Sequence, residues 1–364
     1  MFKRIKISII GTNGLPARYG GFETLADYLS KYLSHDYDVI VYCSGSMKEK
    51  RKYYNNSRLV HFPFKANGWQ SLIYDAISII HSYFTCDVLI VLGFSGVMAF
   101  PLNFIFKKRI VFNIGGIEWK KVRGAKSFSR IEILSKKIFE HICVAFSSVV
   151  VADNKAIFNY VKERYKKRVV LAEYGGDHAK YEPIDVTLIE KYPFLDKQFD
   201  LTISRAQEDM NIHIVLQAYE RLMNRTIVVI SNWEISDYGK GLKARYEHKY
   251  VNIILLNSIY NLKELNAIRG NAGLYIHTHS LCGTAPSLVE AMSLKLPIVC
   301  FDVPTNRSAT EEKSYYFTDY LSLRNIIANL DEGKCKALQD SMFEIAARRY
   351  TWKRIVGLYK NCLE

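Results

Sequence analysis

Two glycine-bearing loops, one in each half of this 364-residue chain, carry the residue types that hold anions. The first is Gly11-Thr-Asn-Gly-Leu-Pro-Ala-Arg-Tyr-Gly-Gly-Phe-Glu-Thr24, which follows the apolar run Ile5 to Ile10 and precedes an amphipathic segment, Phe22 to Leu33. A strand that ends in such a loop and opens a helix leaves the first helical N–H groups unpaired, with the positive end of the helix dipole behind them. Gly20 and Gly21 let the backbone approach a ligand with no Cβ in the way, and Arg18 and Glu23 flank the pair. A tight strand–helix turn uses glycines as well, so the glycines alone do not specify a ligand.

The second loop is His277-Thr-His-Ser-Leu-Cys-Gly-Thr-Ala-Pro-Ser-Leu-Val-Glu290. It also follows an apolar run and opens a helix; Pro286 and Ser287 suit the first turn, and Thr284 or Ser287 can cap it. N–H groups around Gly283 to Ser287 would face the carboxyl edge of a sheet, where open α/β folds bind ligands. Glu290, one turn in, suits either a ribose or sugar hydroxyl or the ordinary role of an acid at the positive end of a helix. Arg205, at the end of another predicted strand, suits a bidentate diphosphate contact or a surface ion pair.

The elements that must position these loops are legible as short buried-type runs alternating with helical segments. In the first half they are Ile5–Ile10, Val39–Cys43, Leu59–Phe62, Val88–Leu92, Ile110–Asn113, Val149–Ala152 and Val169–Ala172. In the second half they are Leu201–Ser204, Ile227–Ser231, Ile253–Leu256, Leu274–Thr278, Ile298–Phe301 and Tyr315–Phe317. This alternation predicts an α/β chain of two Rossmann-like, doubly wound parallel sheets. The length suits two domains. Pro183 and Pro193 place the seam near Glu182–Asp200, giving domains 1–182 and 183–345 and a helical tail, 346–364, broken near Tyr350-Thr-Trp352.

All of the net charge of +14 lies in the first half: residues 1–180 hold 28 Lys and Arg against 14 Asp and Glu, and residues 181–364 hold 22 of each. Aromatics interleave with these cations, as in Phe104-Ile-Phe-Lys-Lys-Arg109. Such a field suits anionic lipid, nucleic acid or a phosphate-bearing substrate, or is a solvated basic surface. No nucleic-acid motif accompanies it, so no nucleic-acid partner is expected. The seven cysteines are scattered without CxxC spacing and no signal peptide is evident, which fits a reduced, cytoplasmic setting. Val88 to Phe106 is uncharged over 19 residues, but Gly93, Gly96, Pro101 and Asn103 interrupt it, so it reads as strand, loop and buried helix rather than a membrane span. Its Phe-rich end beside Lys107, Lys108 and Arg109 could dip into a membrane surface.

Three chemistries find no support. Asp36-Tyr-Asp38 precedes the second strand and reads as a turn rather than a metal motif. His277 and His279 lack a third ligand of suitable spacing, and no GxSxG elbow is present.

Several further motifs run in order along the chain: Asn113-Ile-Gly-Gly-Ile-Glu-Trp-Lys120, Val149-Val-Val-Ala-Asp-Asn154, Tyr174-Gly-Gly-Asp177, Arg205 to His213, Tyr275 to Ser280, Gly283 to Met292 and Tyr350-Thr-Trp352. With the first loop, these resemble the retaining GT-B glycosyltransferases of the GT4-like group, and within it the bacterial rhamnosyltransferases that build surface polysaccharide on a lipid-diphosphate carrier. The resemblance implies two domains facing across a cleft, an N-terminal one for the acceptor and a C-terminal one for a nucleotide-diphosphate sugar, with the final helix and Trp352 crossing back to the first. Carried over by position, Gly20 and Gly21 approach the donor phosphates, while Arg205, Ser280, Gly283, Thr284 and Ser287 hold the diphosphate. Glu290 holds ribose or sugar, and Tyr260 lines the base pocket. Asp153, Tyr174 and Glu118 become the candidates for acceptor orientation or catalysis, with an N-cap (Asp153) and a core aromatic (Tyr174) as the plainer readings. Arg18, Lys107, Lys108, Arg109 and Lys120 would meet the acceptor or the membrane.

The function so implied is metal-independent, cofactor-free, retaining transfer of a sugar, L-rhamnose from dTDP-rhamnose, to a lipid-diphosphate-linked saccharide in O-antigen or capsule synthesis. It would take place at the inner face of the cell membrane, with the enzyme bound peripherally. The alternatives are a UDP-hexose or UDP-N-acetylhexosamine donor, or an inactive or anionic-polymer-binding relative. The sequence departs from the family pattern at Gly115 (an Asp is usual), Cys282 (a Glu), Ala285 (an Asn) and after Arg205, where no Lys follows and Lys240 or Lys243 would have to serve.

Overall fold

The computed structural model describes residues 4–17, 20–47, 49–116, 129–280 and 283–364. The chain divides into two compact units. Among the described residues, the first comprises 4–116, 129–173 and Lys353–Glu364, and the second Tyr174–Trp352.

The first unit is built on an eight-stranded sheet: β1 (Lys6–Ile10), β2 (Asp38–Ser44), β3 (Tyr53–Tyr54), β4 (Ser57–Phe62), β5 (Val88–Leu92), β6 (Arg109–Asn113), β7 (Val149–Ala152) and β8 (Val169–Leu171). Their order is β3-β4-β2-β1-β5-β6-β7-β8, and every pairing is parallel except the β3–β4 hairpin. All five residues of β5 are buried, as expected of a parallel strand covered on both faces. The sequence reading lacked β3. It is a two-residue strand in the basic Lys50–Tyr54 run, and Asn55 and Asn56, at φ 49° and 57°, form the turn that folds it onto β4.

The second unit has six strands: β9 (Asp200–Ile203), β10 (Ile227–Ser231), β11 (Ile253–Asn257), β12 (Leu274–His277), β13 (Ile298–Phe301) and β14 (Tyr315–Phe317). They are ordered β11-β10-β9-β12-β13-β14, all parallel. Both sheets therefore change winding direction beside their first strand, at β1/β5 and β9/β12. Loops that leave the carboxyl ends of strands at such a switch diverge and open a crevice. Gly11–Gly20 follows β1, Arg205 follows β9 and the 283–290 segment follows β12.

Two expectations are corrected. The 88–106 segment is strand, 3-10 turn (Val97–Leu102) and helix (Asn103–Phe106), but that helix is not buried: Phe104 is 79% and Ile105 71% exposed. It is a single turn lying on the surface, anchored by Phe106, which stacks on Tyr83 at 4.8 Å. Among the described residues no helix is long and apolar enough to cross a membrane. The passage between units falls at Tyr174 rather than at 183, because residues 174–178 are bound to Tyr350, Trp352 and Glu290 of the second unit.

The tail forms helices Glu332–Arg349 and Trp352–Lys360, the second of which joins the first unit. There Asn113 Nδ2 donates to the Tyr359 hydroxyl at 2.6 Å, Arg109 Nε donates to the Cys362 carbonyl at 2.7 Å, and Lys360 pairs with Asp36 at 2.6 Å.

Candidate functional site

In the second unit, Arg205 stands exposed just past β9 and pairs with no carboxylate among the described residues. Lys243 is already paired with Glu234 at 3.2 Å, whereas Lys240 is exposed with no such partner among the described residues. Past β12, the Ser280 N–H and hydroxyl both donate to the Asp209 carbonyl, at 3.0 and 2.6 Å, so Ser280 fastens two loops together. The His277 and His279 rings are buried with centroids 4.4 Å apart. Burial foremost pushes both imidazoles down, His279 to about 3 with Arg205 adding to the effect, so both rings stay neutral at physiological pH. The buried hydroxyls of Thr278 and Thr284 find no hydrogen-bond partner among the described residues, an arrangement that folded chains seldom tolerate without a ligand or water.

Helix Pro286–Ser293 opens here with Pro286 at its first position. Its N-cap is Ala285, which has no side-chain oxygen, so neither Thr284 nor Ser287 caps the helix. The first-turn amides lack side-chain acceptors and present partial positive charge at the sheet's switch point. Tyr260 is 68% exposed beyond β11.

Glu290 sits within a network rather than open to a ligand. One carboxylate oxygen pairs with Arg269 at 2.8 Å and the other lies 3.0 Å from His178 Nε2; Arg269 is itself 3% exposed. Trp352 Nε1 donates to His178 Nδ1 at 3.0 Å. An indole N–H can only donate, so Nδ1 holds the lone pair and Nε2–H points to Glu290. Burial pushes the Glu290 carboxyl up, but Arg269 and His178 outweigh it and hold the carboxyl below its usual range. The Trp352 N–H donates to Asp177 at 2.8 Å, and Tyr174 meets the Trp352 ring edge-on at 6.4 Å. Three motifs that are remote in sequence (174–178, Glu290 and 350–352) thus form one cluster. His178 and Arg269 escaped the sequence reading; His178 directly follows Tyr174-Gly-Gly-Asp177, and nothing in the local pattern marks Arg269.

In the first unit, the loops after β1, β5 and β6 and the start of helix Gly21–Leu33 enclose a cavity of about 420 Å³. Gly20 is the N-cap of that helix at φ 114°, and a Cβ there would lie 2.2 Å from Glu23 Oε2. Glu23 accepts the Asn13 N–H at 3.3 Å, and burial pushes its carboxyl up. Gly20 and Gly21, expected to meet donor phosphates, therefore have a carboxylate beside them. Gly115 stands at φ 61° with the Phe22 ring 2.6 Å from where a Cβ would project. The aspartate that the family resemblance leads one to expect at 115 is thus replaced by an aromatic wall.

The remaining predicted residues fall as follows. Asp153 is buried at the end of β7 and is not an N-cap; Asn154 caps the next helix through Ala156 N–H. Burial foremost pushes the Tyr359 phenol up, with the charge of Asp153 adding to the effect. Tyr174 belongs to the second unit, Asp153 to the first. Lys107 is exposed and ends a helix in the left-handed region, and Lys108 is half-buried. Arg109, expected at the acceptor or membrane, is half-buried and donates its Nε–H to the Cys362 carbonyl. Arg18, Glu118, Lys120 and Cys282 lie outside the described residues. No cluster of three or more His, Cys, Asp or Glu suited to a metal occurs among the described residues.

The family described as a domain of unknown function, DUF1972, matches residues 4–177. No curated protein matches the chain in sequence. Among solved structures, the chain is similar to a sucrose-phosphate synthase from Thermosynechococcus elongatus (12% identity, TM-score 0.79, 98% of this chain and 99% of that one). It is also similar to Anabaena HepE crystallised with UDP and glucose (16%, 0.73, 99% of each chain) and to a glycosyltransferase from Rickettsia africae (14%, 0.73, 100% of each). At these identities the likeness establishes the fold, the α/β GT-B fold with two parallel sheets.

Proposed function

We propose that the protein is a retaining, metal-independent glycosyltransferase that moves a sugar from a nucleoside diphosphate to a hydroxyl of a lipid-diphosphate-linked saccharide. The observation that carries this reading is the pairing, at the β9/β12 switch point, of uncapped amides at helix Pro286–Ser293 with the carboxylate-free cation Arg205. Amides and a guanidinium so arranged suit a leaving diphosphate, whose charge grows as the glycosidic bond breaks. That solved relatives in fold include HepE with UDP-glucose supports a nucleotide-sugar donor.

In the proposed step the bond from C1 to the diphosphate oxygen breaks while a bond from C1 to the acceptor oxygen forms on the same face. The acceptor proton passes to the departing phosphate oxygen, so no protein base is consumed. Arg205 and the N–H groups of residues 283–285 and Ser287 stabilise the diphosphate, Pro286 having none to donate. The Arg269–Glu290–His178–Trp352 network fixes the helix that presents those amides, and the buried Thr284 lies among them. The donor is dTDP-rhamnose and the product part of a bacterial surface polysaccharide, O-antigen or capsule, as the family resemblance suggests.

A peripheral position at the inner face of an anionic membrane fits the surface of the first unit. Phe84, Met98, Phe104 and Ile105 are each more than 70% exposed, and Lys107 follows them. The test is release of free nucleotide from dTDP-rhamnose, UDP-glucose and UDP-N-acetylglucosamine, with and without lipid-diphosphate saccharides extracted from bacterial membranes. Acceptor-dependent dTDP release supports the reading in full, UDP release corrects the donor, and release from none of them overturns it.

A further inference from the structure

The loop after β1 turns on Gly11, Gly14 and Gly20, at φ 95°, 124° and 114°, and glycines do not hold a shape by themselves. Among the described residues, side chains from outside the loop supply that shape. Glu23 and Asp27 lie four residues apart and share one face of helix Gly21–Leu33. Glu23 accepts the Asn13 N–H at 3.3 Å, and Asp27 accepts the Ala17 N–H at 3.2 Å. The two donors are also four residues apart, so each carboxylate takes the N–H ten residues before it. Two more contacts hold the same segment. The Tyr74 hydroxyl donates to the Thr12 carbonyl at 3.1 Å, and the Ser44 N–H donates to the Asn13 carbonyl at 3.0 Å.

Asp27 has a second task. The Tyr54 hydroxyl donates to its Oδ2 at 3.4 Å, and the Asn55 side-chain amide donates to its Oδ1 at 2.8 Å. Asn55 is the residue that turns β3 onto β4, and its amide also reaches the Asp27 carbonyl and the Ser30 hydroxyl, at 3.3 and 3.1 Å. Donors from two separate segments thus converge on one half-buried carboxylate. The helix dipole does not account for it, because Asp27 lies beyond the first turn, where that preference fades. We propose that Asp27 is a positioning residue of the transfer reaction. With Glu23 it fixes residues 11–17 as a rigid wall of the crevice at the β1/β5 switch, so the loop governs turnover and leaves nucleotide binding to the second unit. The part played in turnover rests on the transferase reading; the clamp itself does not. Because the protein's own carboxylates already occupy the Asn13 and Ala17 N–H groups, neither is left for a donor phosphate. A wall fixed before substrate arrives spares the ordering that a loose glycine loop would need during the reaction.

The test compares Asp27→Ala, Asp27→Asn and Asn55→Gly in the full chain, with Glu163→Gln, an exposed carboxylate elsewhere on this unit, as control. Hydrogen exchange read by mass spectrometry should be at least tenfold faster over residues 11–17 in Asp27→Ala and threefold faster in Asn55→Gly. Peptides of β5 and β9 should exchange as in the parent. With whichever of dTDP-rhamnose, UDP-glucose or UDP-N-acetylglucosamine is turned over, kcat should fall at least tenfold in Asp27→Ala and about threefold in Asn55→Gly. The Kd of UDP and dTDP should stay within twofold of the parent in both. Asp27→Asn keeps an oxygen for the Ala17 N–H and should turn over within threefold of the parent; Glu163→Gln should match it. Glycine suits the φ of 49° at position 55, so Asn55→Gly decides if Asp27→Ala fails to fold. Unchanged exchange over 11–17, an unchanged kcat, nucleotide affinity lost in step with turnover, or Asp27→Asn no better than Asp27→Ala overturns the assignment. Release of nucleotide from no donor removes the transferase reading instead, and the exchange rates then decide the clamp alone.

Discussion

The carboxylates of this protein titrate in opposite directions, and each direction follows from its neighbours. Glu290 is held low by Arg269 and His178, so its contribution to stability is complete above its ordinary value near 4.5 and is lost as pH falls through its lower folded value. Glu290→Gln leaves the buried Arg269 without its charge partner. It should cost about 3–5 kcal/mol at pH 7 by urea unfolding, with the gap to the native protein closing only in that acid range. Asp75 is the reverse case, with burial pushing its carboxyl up to about 7. Its contribution is complete below 3.8 and lost as pH rises through about 7. Asp75→Asn should therefore flatten the profile and be the more stable protein above pH 7, by about 2–4 kcal/mol. Equal pH slopes for the variant and the parent would contradict the placement of Asp75. Little of this was legible in the sequence. Glu290 announced itself by its distance from a helix start, but its partners lie 21 residues before it (Arg269) and in another segment (His178), and no local pattern encodes such pairings.

At the scale of elements, the sequence was far more informative. Short, mostly apolar runs bounded by turns identified every parallel strand, because a strand covered on both faces is largely apolar. The strand that was missed, β3, is two residues long and pairs only at an edge, so its side chains carry no core pattern. The segment Asn103–Phe106 was placed inside because it is apolar, yet one turn on the surface can remain exposed when only Phe106 is anchored. The helix after β12 gives the sharpest prediction at this scale. Ala285→Asp supplies the N-cap that the helix lacks and should raise stability by about 1 kcal/mol. It also places a negative charge where a diphosphate is proposed to lie, and should weaken UDP or dTDP binding at least tenfold. A variant that is more stable yet binds nucleotide as well as the parent would argue against that location.

Across the whole molecule, charge and apolar surface coincide. The excess of cations in residues 1–180 and the exposed Phe84, Met98, Phe104 and Ile105 belong to the same unit. Co-sedimentation with phosphatidylglycerol vesicles should fall steeply with salt, and Phe104→Ser with Ile105→Ser should reduce it at least fivefold at constant charge. Binding insensitive to both changes would remove the membrane from the picture. The division of the chain was partly readable: prolines marked a region near the seam, but the anchoring of residues 174–178 to Trp352 could be seen only once the fold had brought them together. The most direct measurement is isothermal titration of the purified chain with dTDP, dTDP-rhamnose, UDP and UDP-glucose, repeated for Arg205→Ala. A transferase with its diphosphate cradle at the β9/β12 switch should bind at least one of them in the micromolar range and lose at least tenfold in affinity without Arg205. Heat signals indistinguishable from dilution for all four, or an Arg205→Ala variant that binds as well as the parent, would contradict it.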